Sequence, residues 1–290
     1  MRIPKSCELT VPIGGGYAIR LLERPGRFCT PAQCADLTSV LRSVADRCVP
    51  SGGLRYGVLS GSQERLSTAL IALALDPEDN VVGFSAMMTF DMQAGGRSLT
   101  VVHAGLCLID PSERRSGLCG LLTALPAVMA VVRNGLRSVW FTNVTQVPAV
   151  AGVFINAAKN VWPAPDCSSE PPSVHRVIAT TLFERHRAVF GVGDEAIFDG
   201  DRFVIANAYT GGSDELKKRL EECPDHRDLR HTAWCRELLD YGRGDDVIQV
   251  GYLSAAHCLW LVLRFGRGLA RRVIRGRLRA PLIPARGVVR

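Results

Sequence analysis

Residues 106–132 read LCLIDPSERRSGLCGLLTALPAVMAVV, and this stretch decides the predicted fold. It begins with an apolar strand that ends at Pro111, because proline has no amide to donate to a sheet. A short basic loop, 112–117, follows. The next residues repeat leucine, valine and methionine at intervals of three and four, which places them on one helical face. The stretch therefore predicts a strand, a tight loop and a helix, in which Pro126 removes one backbone hydrogen bond.

The start of this helix is suited to binding an anion. The first amides of a helix have no internal acceptor, and the helix dipole adds partial positive charge there. Arg114 and Arg115 contribute two full charges beside it. A pyrophosphate is the group that such a loop accommodates.

The same residues resemble the acyl-CoA-binding motif of the GNAT acyltransferase superfamily, V-x-P-x-x-R-G-x-G-x-G/A followed by leucines. Pro111, Arg114 and Gly117 match that motif at the right spacing, whereas Arg115 replaces its first glycine and Cys119 its last small residue. Two other phosphate-binding fingerprints fit less well, since GxxxxGK[ST] is absent and the triple glycine at 14–16 precedes a strand. The alternative is an ordinary strand–helix unit with a surface arginine pair.

The order of predicted elements agrees with this resemblance. Three successive strands are predicted within 65–109, and the strand–helix–strand unit follows them. A further helix and a closing strand are predicted within 148–162. The resemblance covers about residues 15–165 and implies an α+β fold, with a mixed and mostly antiparallel sheet flanked by helices.

The rest of the chain matches no family pattern. A proline-rich break at 163–172 indicates a boundary. We therefore expect a GNAT-like core over 1–165, a C-terminal α/β extension over 166–246 packed on that core, and an apolar and then arginine-rich tail over 247–290. Ser213 is expected to cap a charged helix in the extension.

Charge is concentrated in the last part of the chain. The 290 residues carry a formal net charge of +7, but nine arginines and no acidic residue lie in 264–290. Removing these nine from the 35 basic residues leaves 26, against 28 acidic ones. Nucleic-acid binding by the whole surface is therefore not expected. Ten scattered cysteines and the lack of an apolar run in the first 16 residues favour a cytoplasmic protein with reduced thiols.

The GNAT resemblance assigns the binding of acetyl-CoA or another acyl-CoA, as co-substrate, to two strands and one loop. The acyl carbonyl and pantetheine would bond to the backbone of the fourth strand of the family where it separates from the fifth. Asn143, at the end of the fifth strand, matches a position that often contacts pantetheine. The cofactor-binding positions implied here are Cys107, Leu108, Ile109, Arg114, Arg115, Ser116, Gly117, Leu118, Cys119, Gly120 and Asn143.

The catalytic groups are less well indicated. His103 lies on the fourth strand of the family and is the candidate base, because an unperturbed imidazole titrates near neutral pH; a packed strand histidine is the alternative. The family's usual acid is a tyrosine in its fourth helix, and Asn156 occupies that position. The thiol would then leave as thiolate, or Tyr209 or Cys119 would protonate it.

Two other chemistries receive less support. The residues Cys223, His226, His231 and Cys235 are zinc ligands by type, but their inner spacing is shorter than that of usual zinc modules, and we expect no metal. A Cys107–His103 nucleophile is disfavoured, since four residues of extended strand separate the two side chains by about 13 Å.

The arginine-rich tail has a helical pattern. Residues 262–279 would place an apolar stripe opposite an arginine face, so that 260–279 could lie peripherally on an anionic membrane at its inner surface. The stripe could instead pack on the core, or the three glycines could prevent the helix. Val247–Leu263 is too short and too polar for a spanning helix.

Together these features predict an acyltransferase that moves an acyl group from acyl-CoA to a small molecule, most simply to an amine. The alternatives are a catalytically degenerate binding module with the same fold, or a membrane-peripheral acyltransferase that uses longer acyl chains. The missing tyrosine motivates the first alternative, and the basic tail motivates the second.

Overall fold

A computed structural model describes residues 8–49, 52–114, 116–167, 170–261 and 263. It is built on a single mixed sheet of ten strands with helices on both faces. Among the residues described, all strand pairs but one are antiparallel. The predicted fold class, α+β with a mostly antiparallel mixed sheet, is therefore confirmed.

The first half of the chain forms one edge of the sheet and the helices beside it. Its elements are β1 (Glu8–Gly14), β2 (Tyr17–Glu23), α1 (Pro31–Cys48), α2 (Gln63–Leu66), β3 (Ala69–Leu75), β4 (Val81–Ala94) and β5 (Arg97–Ile109). Helix α1 begins where the sequence predicted, with Thr30 accepting from the Gln33 amide and Pro31 in the first turn. Strand β1 was not predicted. The strand predicted from Arg65 to Leu75 is present as β3, but it begins at Ala69, because a short helix takes up its first residues.

The second half contains the quoted stretch and the extension. Its elements are α3 (Leu118–Arg133), β6 (Val139–Thr145), α4 (Pro148–Ala157), β7 (Lys159–Trp162), α5 (Ser173–His186), β8 (Ile197–Asp199), β9 (Val204–Ala206), α6 (Arg230–Leu238) and β10 (Asp246–Leu253). The helix expected after Ser213 is wrong: two three-residue 3-10 turns stand there, and the Ser213 hydroxyl bonds to the Gly191 carbonyl instead of capping a helix.

The strand order of the sheet is β1-β2-β3-β4-β5-β6-β10-β9-β8, with β7 also paired to β10. Strands β5 and β6 form the one parallel pair recorded among the described residues. They are joined by α3, which crosses one face of the sheet as a β–α–β connection requires. The parallel pair lies near the middle of the sheet, so any opening between its strands reaches the interior.

The position of β10 corrects the expected tail. Residues 246–253 were expected to end the extension and begin an apolar tail, but they form a central strand. One edge of β10 pairs with the whole of β6, and the other pairs with β9 at its start and β7 towards its end. The sequence of β10 is almost continuously apolar because both faces of this strand are covered in the structure. Residues 163–245 are thus an insertion between two strands of one sheet.

The insertion shares the hydrophobic core of the first part of the chain. Ile178 and Leu182 of α5 are fully buried and join the same cluster as Leu41 of α1 and Ile248 of β10. Helices α3 and α4 cover the opposite face of the sheet, where Phe141 stacks on Phe154. In the part of the chain described by the structure, no helix is both long and apolar enough to cross a membrane.

The buried position of β10 yields a stability prediction. Ile248→Asp places a carboxylate at a fully buried site and should lower the free energy of unfolding by at least about 3 kcal/mol. The matched control is Ile197→Asp on β8, where the side chain is 71% exposed and the change should stay within about 0.5 kcal/mol. Urea unfolding followed by circular dichroism measures both; equal effects would contradict a buried β10.

Candidate active site

Strands β5 and β6 separate after a short parallel contact. Their register runs from the pair Val101–Trp140 to the pair Ala104–Asn143. Beyond that point β5 continues to Ile109 in register with β4 alone. The edge of β5 that faces β6 is therefore without a strand partner over 105–109. The amides and carbonyls on this edge are available to a ligand lying between the two strands, except the Ile109 carbonyl, which accepts from the Cys48 thiol at 3.2 Å.

A β-bulge marks the point of separation. The register passes from Met87–Ala104 to Ser85–Cys107, so β5 contains one more residue than β4. Gly105 sits in the bulge, where a Cβ atom would lie 2.6 Å from the Ala86 carbonyl oxygen. A side chain is excluded there because the two backbones approach too closely. The bulge turns β5 away from β6 and so sets the width of the cleft.

A cavity of about 260 Å³ occupies the cleft. Both separating strands line it, and the insertion and the loop before α2 cover it. Most of the wall is apolar, with a polar group at several points. The polar and titratable members of the lining are Tyr56, His103, Cys107, Asn143, Thr145, Gln146, Tyr209, Ser213, Lys218 and Asp246.

The loop before α3 has the geometry predicted for an anion site. Gly117 is the N-cap of α3 and adopts a left-handed φ of 82°, which a side chain disfavours. The Ser116 hydroxyl accepts from the Leu118 amide at 3.4 Å. Arg114 is exposed beside these groups. The predicted contribution of Arg115 lies outside the described residues.

The other predicted cofactor residues fall on two sides of the cleft. Cys107 lines the cavity, while Leu108 and Ile109 continue along the unpaired edge of β5. Asn143 also lines the cavity, and its amide donates to the Gln249 side chain at 3.4 Å. In α3, Leu118 is buried under the sheet and Gly120 is half-buried in the first turn.

The structure brings Cys107 and Cys119 together. Their Sγ atoms lie 3.7 Å apart, where β5 passes the first turn of α3. The hydrogen bond from the Cys107 thiol lowers the pKa of Cys119 to about 7, and the Thr123 hydroxyl contributes to the same effect. The same bond and burial raise the pKa of Cys107 well above its usual value. Cys119 is thus the thiolate of the pair near neutral pH, and it is the exposed member.

His103 is buried and poorly suited to act as a base. It is 1% exposed, its Nδ1 atom lies 3.0 Å from the Thr142 hydroxyl, and its ring packs against Phe190. Burial lowers its pKa to about 3, with a smaller contribution from His186. An imidazole with that pKa binds a proton weakly at neutral pH. The geometry favours the packed strand histidine over the catalytic one.

The cavity is also lined by a carboxylate that the sequence did not indicate as a site residue. Asp246, the first residue of β10, is 5% exposed and accepts a hydrogen bond from the Tyr209 hydroxyl at 2.8 Å. Burial raises the pKa of Asp246 to about 7, although the bond from Tyr209 opposes this effect. The sequence showed only an acidic residue before an apolar run, and nothing in its spacing linked it to Tyr209 or to β5.

Two other predictions are located by the structure. Asn156, which occupies the tyrosine position, lies in α4 and donates to the Gly152 carbonyl at 2.7 Å, so its amide serves the helix. The His226 and His231 rings lie edge to face, 4.6 Å apart. No group of three or more metal-binding side chains occurs within the described residues.

Comparisons with known proteins give a likeness to solved acetyltransferases. No family model matches the chain, and no curated protein matches it. A structure from Desulfovibrio desulfuricans, described as an acetyltransferase of the GNAT family, is 16% identical, with a TM-score of 0.33 over 50% of this chain and 87% of that one. A GNAT-family N-acetyltransferase from Escherichia coli in complex with CoA is 18% identical, with a TM-score of 0.28 over 53% and 71%.

A third structure, from Klebsiella pneumoniae and described as an acyl-CoA N-acyltransferase, is 15% identical, with a TM-score of 0.31 over 51% of this chain and 86% of that one. Likenesses at such low TM-scores carry no argument by themselves. Two features of the molecule itself agree with the GNAT resemblance. The predicted order of elements is present, and the one parallel strand pair among the described residues opens into a cavity.

The contact between Cys107 and Cys119 can be tested by oxidation. The Cys119 thiolate should attack oxidised glutathione, and Cys107 should then displace glutathione to leave an intramolecular disulfide. The rate should rise as pH increases through about 7, because Cys119 loses its proton there. Peptide mass spectrometry should find the 107–119 cross-link and the loss of two hydrogen atoms.

The variant Cys119→Ser provides the control for this experiment, since it leaves Cys107 without a partner. It should form no cross-link at Cys107. Oxidised wild-type protein that carries only glutathione adducts at these two positions would contradict the geometry.

Proposed function

We propose that this protein transfers an acyl group from acyl-CoA to a small-molecule acceptor. The single observation that supports this most strongly is the separation of β5 from β6 at a bulge, with a cavity in the gap. An extended ligand with alternating amide donors and acceptors fits an unpaired strand edge, and pantetheine is such a ligand. The anion site at the start of α3 stands at the end of the same strand.

The proposed cofactor contacts divide between these two features. The amides at the start of α3 and the Arg114 side chain would hold the pyrophosphate, since both are positive and unpaired by protein anions in the described contacts. The backbone of 105–109 would hold pantetheine and the acyl carbonyl. The thioester would then lie beside the cavity, where the acceptor is placed against it by proximity.

The acceptor is proposed to be small. The cavity is about 260 Å³, and its walls come from both strands and from the insertion. Its lining is mostly apolar, and the polar groups among it include Tyr209, Gln146 and Asp246. An acceptor with an apolar body and one polar reacting group matches this distribution.

The second candidate is a binding module that has lost catalysis. The observation in its favour is Asn156, whose amide is engaged with the Gly152 carbonyl at the position of the family's usual acid. Turnover of acetyl-CoA with an acceptor would exclude it.

Binding of the cofactor should depend on the loop before α3. Arg114→Ala together with Gly117→Asp removes a cation and places a carboxylate against the pyrophosphate. We expect at least about tenfold weaker binding of acetyl-CoA by calorimetry, or about 1.4 kcal/mol. An unchanged dissociation constant in the folded double variant would show that the anion site is elsewhere.

The other end of α3 supplies a matched control. Gly135 also has a positive φ, 68°, with open space around it, and Arg137 is exposed nearby. The double variant Gly135→Asp with Arg137→Ala makes the same chemical changes far from the cleft. It should cost similar stability and leave the affinity for acetyl-CoA unchanged.

Membrane contact of the tail remains a separate proposal. Most of the predicted segment, 260–279, lies outside the described residues. The described residues around its start include two exposed side chains four positions apart, Leu259 and Leu263, at 61% and 54% exposure. An apolar face next to nine arginines is suited to an anionic interface, where each basic residue contributes about 1 kcal/mol.

Vesicle co-sedimentation tests this contact. Full-length protein should pellet with phosphatidylserine-containing vesicles at low salt and be released at high salt. A chain ending at Leu263 keeps β10, which truncation at Asp246 would remove, and should stay in the supernatant. Equal sedimentation of both chains would show that the tail is not the anchor.

A further inference from the structure

We propose that the carboxylate of Asp246 binds the ammonium group of a primary-amine acceptor in the cavity and takes its proton. This inference rests on the proposed acyl transfer and adds to it the chemical class of the acceptor and the residue that receives the proton. It is carried by an anomaly in the structure, which is a buried carboxylate without a cation.

Buried carboxylates in folded proteins are normally paired with a cation or a metal. Asp246 has neither among the described residues: no ion pair reaches it, and its hydrogen-bond donor is the neutral hydroxyl of Tyr209. The neighbouring Asp245 shows the usual arrangement, since it is 1% exposed on its side chain and pairs with Arg243 at 2.7 Å. Of the two adjacent carboxylates, Asp245 is therefore already neutralised by a cation, and Asp246 is the one that can still bind a cationic ligand.

The carboxylate also lies where the reaction would occur. Asp246 and Tyr209 line the same cavity as Gly105 and Cys107 of β5 and Asn143 of β6, which flank the point of strand separation. An amine held at Asp246 would approach a thioester on β5 from within the cavity. Burial removes water from Asp246 and leaves its charge without a cationic partner. An incoming ammonium group would supply that partner, so ligand binding offsets the free-energy cost of desolvation.

Asp246 interacts electrostatically with the adjacent Asp245, with the hydroxyls of Tyr56, Tyr209 and Tyr241, and with the Cys223 thiol. Asp245 raises the pKa of Asp246 from the adjacent position, and the Tyr209 hydroxyl lowers it by donating to the carboxylate. Burial raises the pKa of Tyr56, which also senses Asp246, so this hydroxyl stays neutral. Lys218 and His103 line the same cavity, and neither forms an ion pair or hydrogen bond with Asp246 among the described contacts. Desolvation is the largest influence, and the Asp246 carboxylate therefore gains and loses its proton near neutral pH.

Tyr209 is assigned as a positioning residue. Its proton is committed to Asp246 at 2.8 Å, and burial and the adjacent carboxylate raise its own pKa well above the usual value. It therefore orients the carboxylate and stabilises its charged form. This role differs from that of the acid for which Tyr209 was considered on the sequence.

The proposed step balances in atoms and charge. The acceptor arrives as R–NH₃⁺ and gives one proton to Asp246. The nitrogen lone pair forms a C–N bond to the thioester carbonyl carbon, and the C–S bond breaks with its electron pair on sulfur. The second nitrogen proton passes to the thiolate to give CoA–SH, and Asp246 later releases its proton to solvent.

The experiment uses the full-length chain saturated with acetyl-CoA and a panel of butylamine, phenethylamine and putrescine, with butanol as the uncharged analogue of butylamine. The amines should raise the melting temperature of the acetyl-CoA complex, and butanol should not. At least one amine should be acetylated, with product detected by mass spectrometry. Asp246→Asn should lower that rate by about 100-fold or more and abolish the thermal shift by amines.

The affinity for acetyl-CoA separates this inference from the proposed function. Asp246→Asn should keep the wild-type dissociation constant for acetyl-CoA. The control Asp214→Asn, which removes an exposed carboxylate from the insertion, should keep wild-type turnover as well. If wild-type protein does not bind acetyl-CoA, the proposed function fails. If it binds acetyl-CoA but no amine shifts its melting temperature, or if Asp246→Asn retains turnover within threefold, this inference alone is overturned.

Tyr209→Phe gives a readout that a purely structural role would not move. Activity requires the Asp246 carboxylate, so kcat/KM should fall as pH decreases through about 7. Loss of the Tyr209 hydrogen bond destabilises the charged form and should move this acidic limb to higher pH. A uniform loss of kcat/KM with an unmoved limb would contradict the assignment of Tyr209.

Discussion

The parting of β5 and β6 is the constraint on which the site depends. A parallel strand pair in a mostly antiparallel sheet needs a crossover helix, and α3 supplies it. The bulge at Gly105 then turns β5 away from β6. The bulge requires glycine, because no side chain fits against the Ala86 carbonyl. Unpaired backbone, an open cavity and the amides at the start of α3 follow from this one departure from regular pairing.

The insertion between β7 and β10 covers part of the cleft. Its helix α5 shares the core beneath the sheet, and its later loops bring Tyr209 and Lys218 to the cavity wall. Burial removes water from Asp246, and the same desolvation that disfavours its charge prepares it for a cationic ligand. Stability and chemistry are coupled here, since β10 both completes the sheet and begins with the proposed base.

The sequence predicted correctly those elements whose ends are determined by neighbouring residues. The end of a strand before Pro111 and the start of a helix after the loop 112–117 were predicted correctly, because Pro111 and the helical periodicity mark them. Strand β10 was predicted to be part of an apolar tail. A buried strand and an apolar tail have the same sequence pattern when the elements that cover the strand are distant in sequence. The contact between Asp246 and Tyr209 could not be predicted, because it depends on that same placement of β10. The burial of His103 could not be predicted either, because it depends on residues distant in sequence, such as Phe190.

The measurement that tests the account most directly is a crystal structure of this protein with acetyl-CoA bound. The account predicts pantetheine between β5 and β6, hydrogen-bonded to the backbone of 105–109, with the pyrophosphate at the amides that open α3. The acyl group should point into the cavity that contains Asp246. Acetyl-CoA bound at any other surface, with the cleft between β5 and β6 empty, would contradict the account.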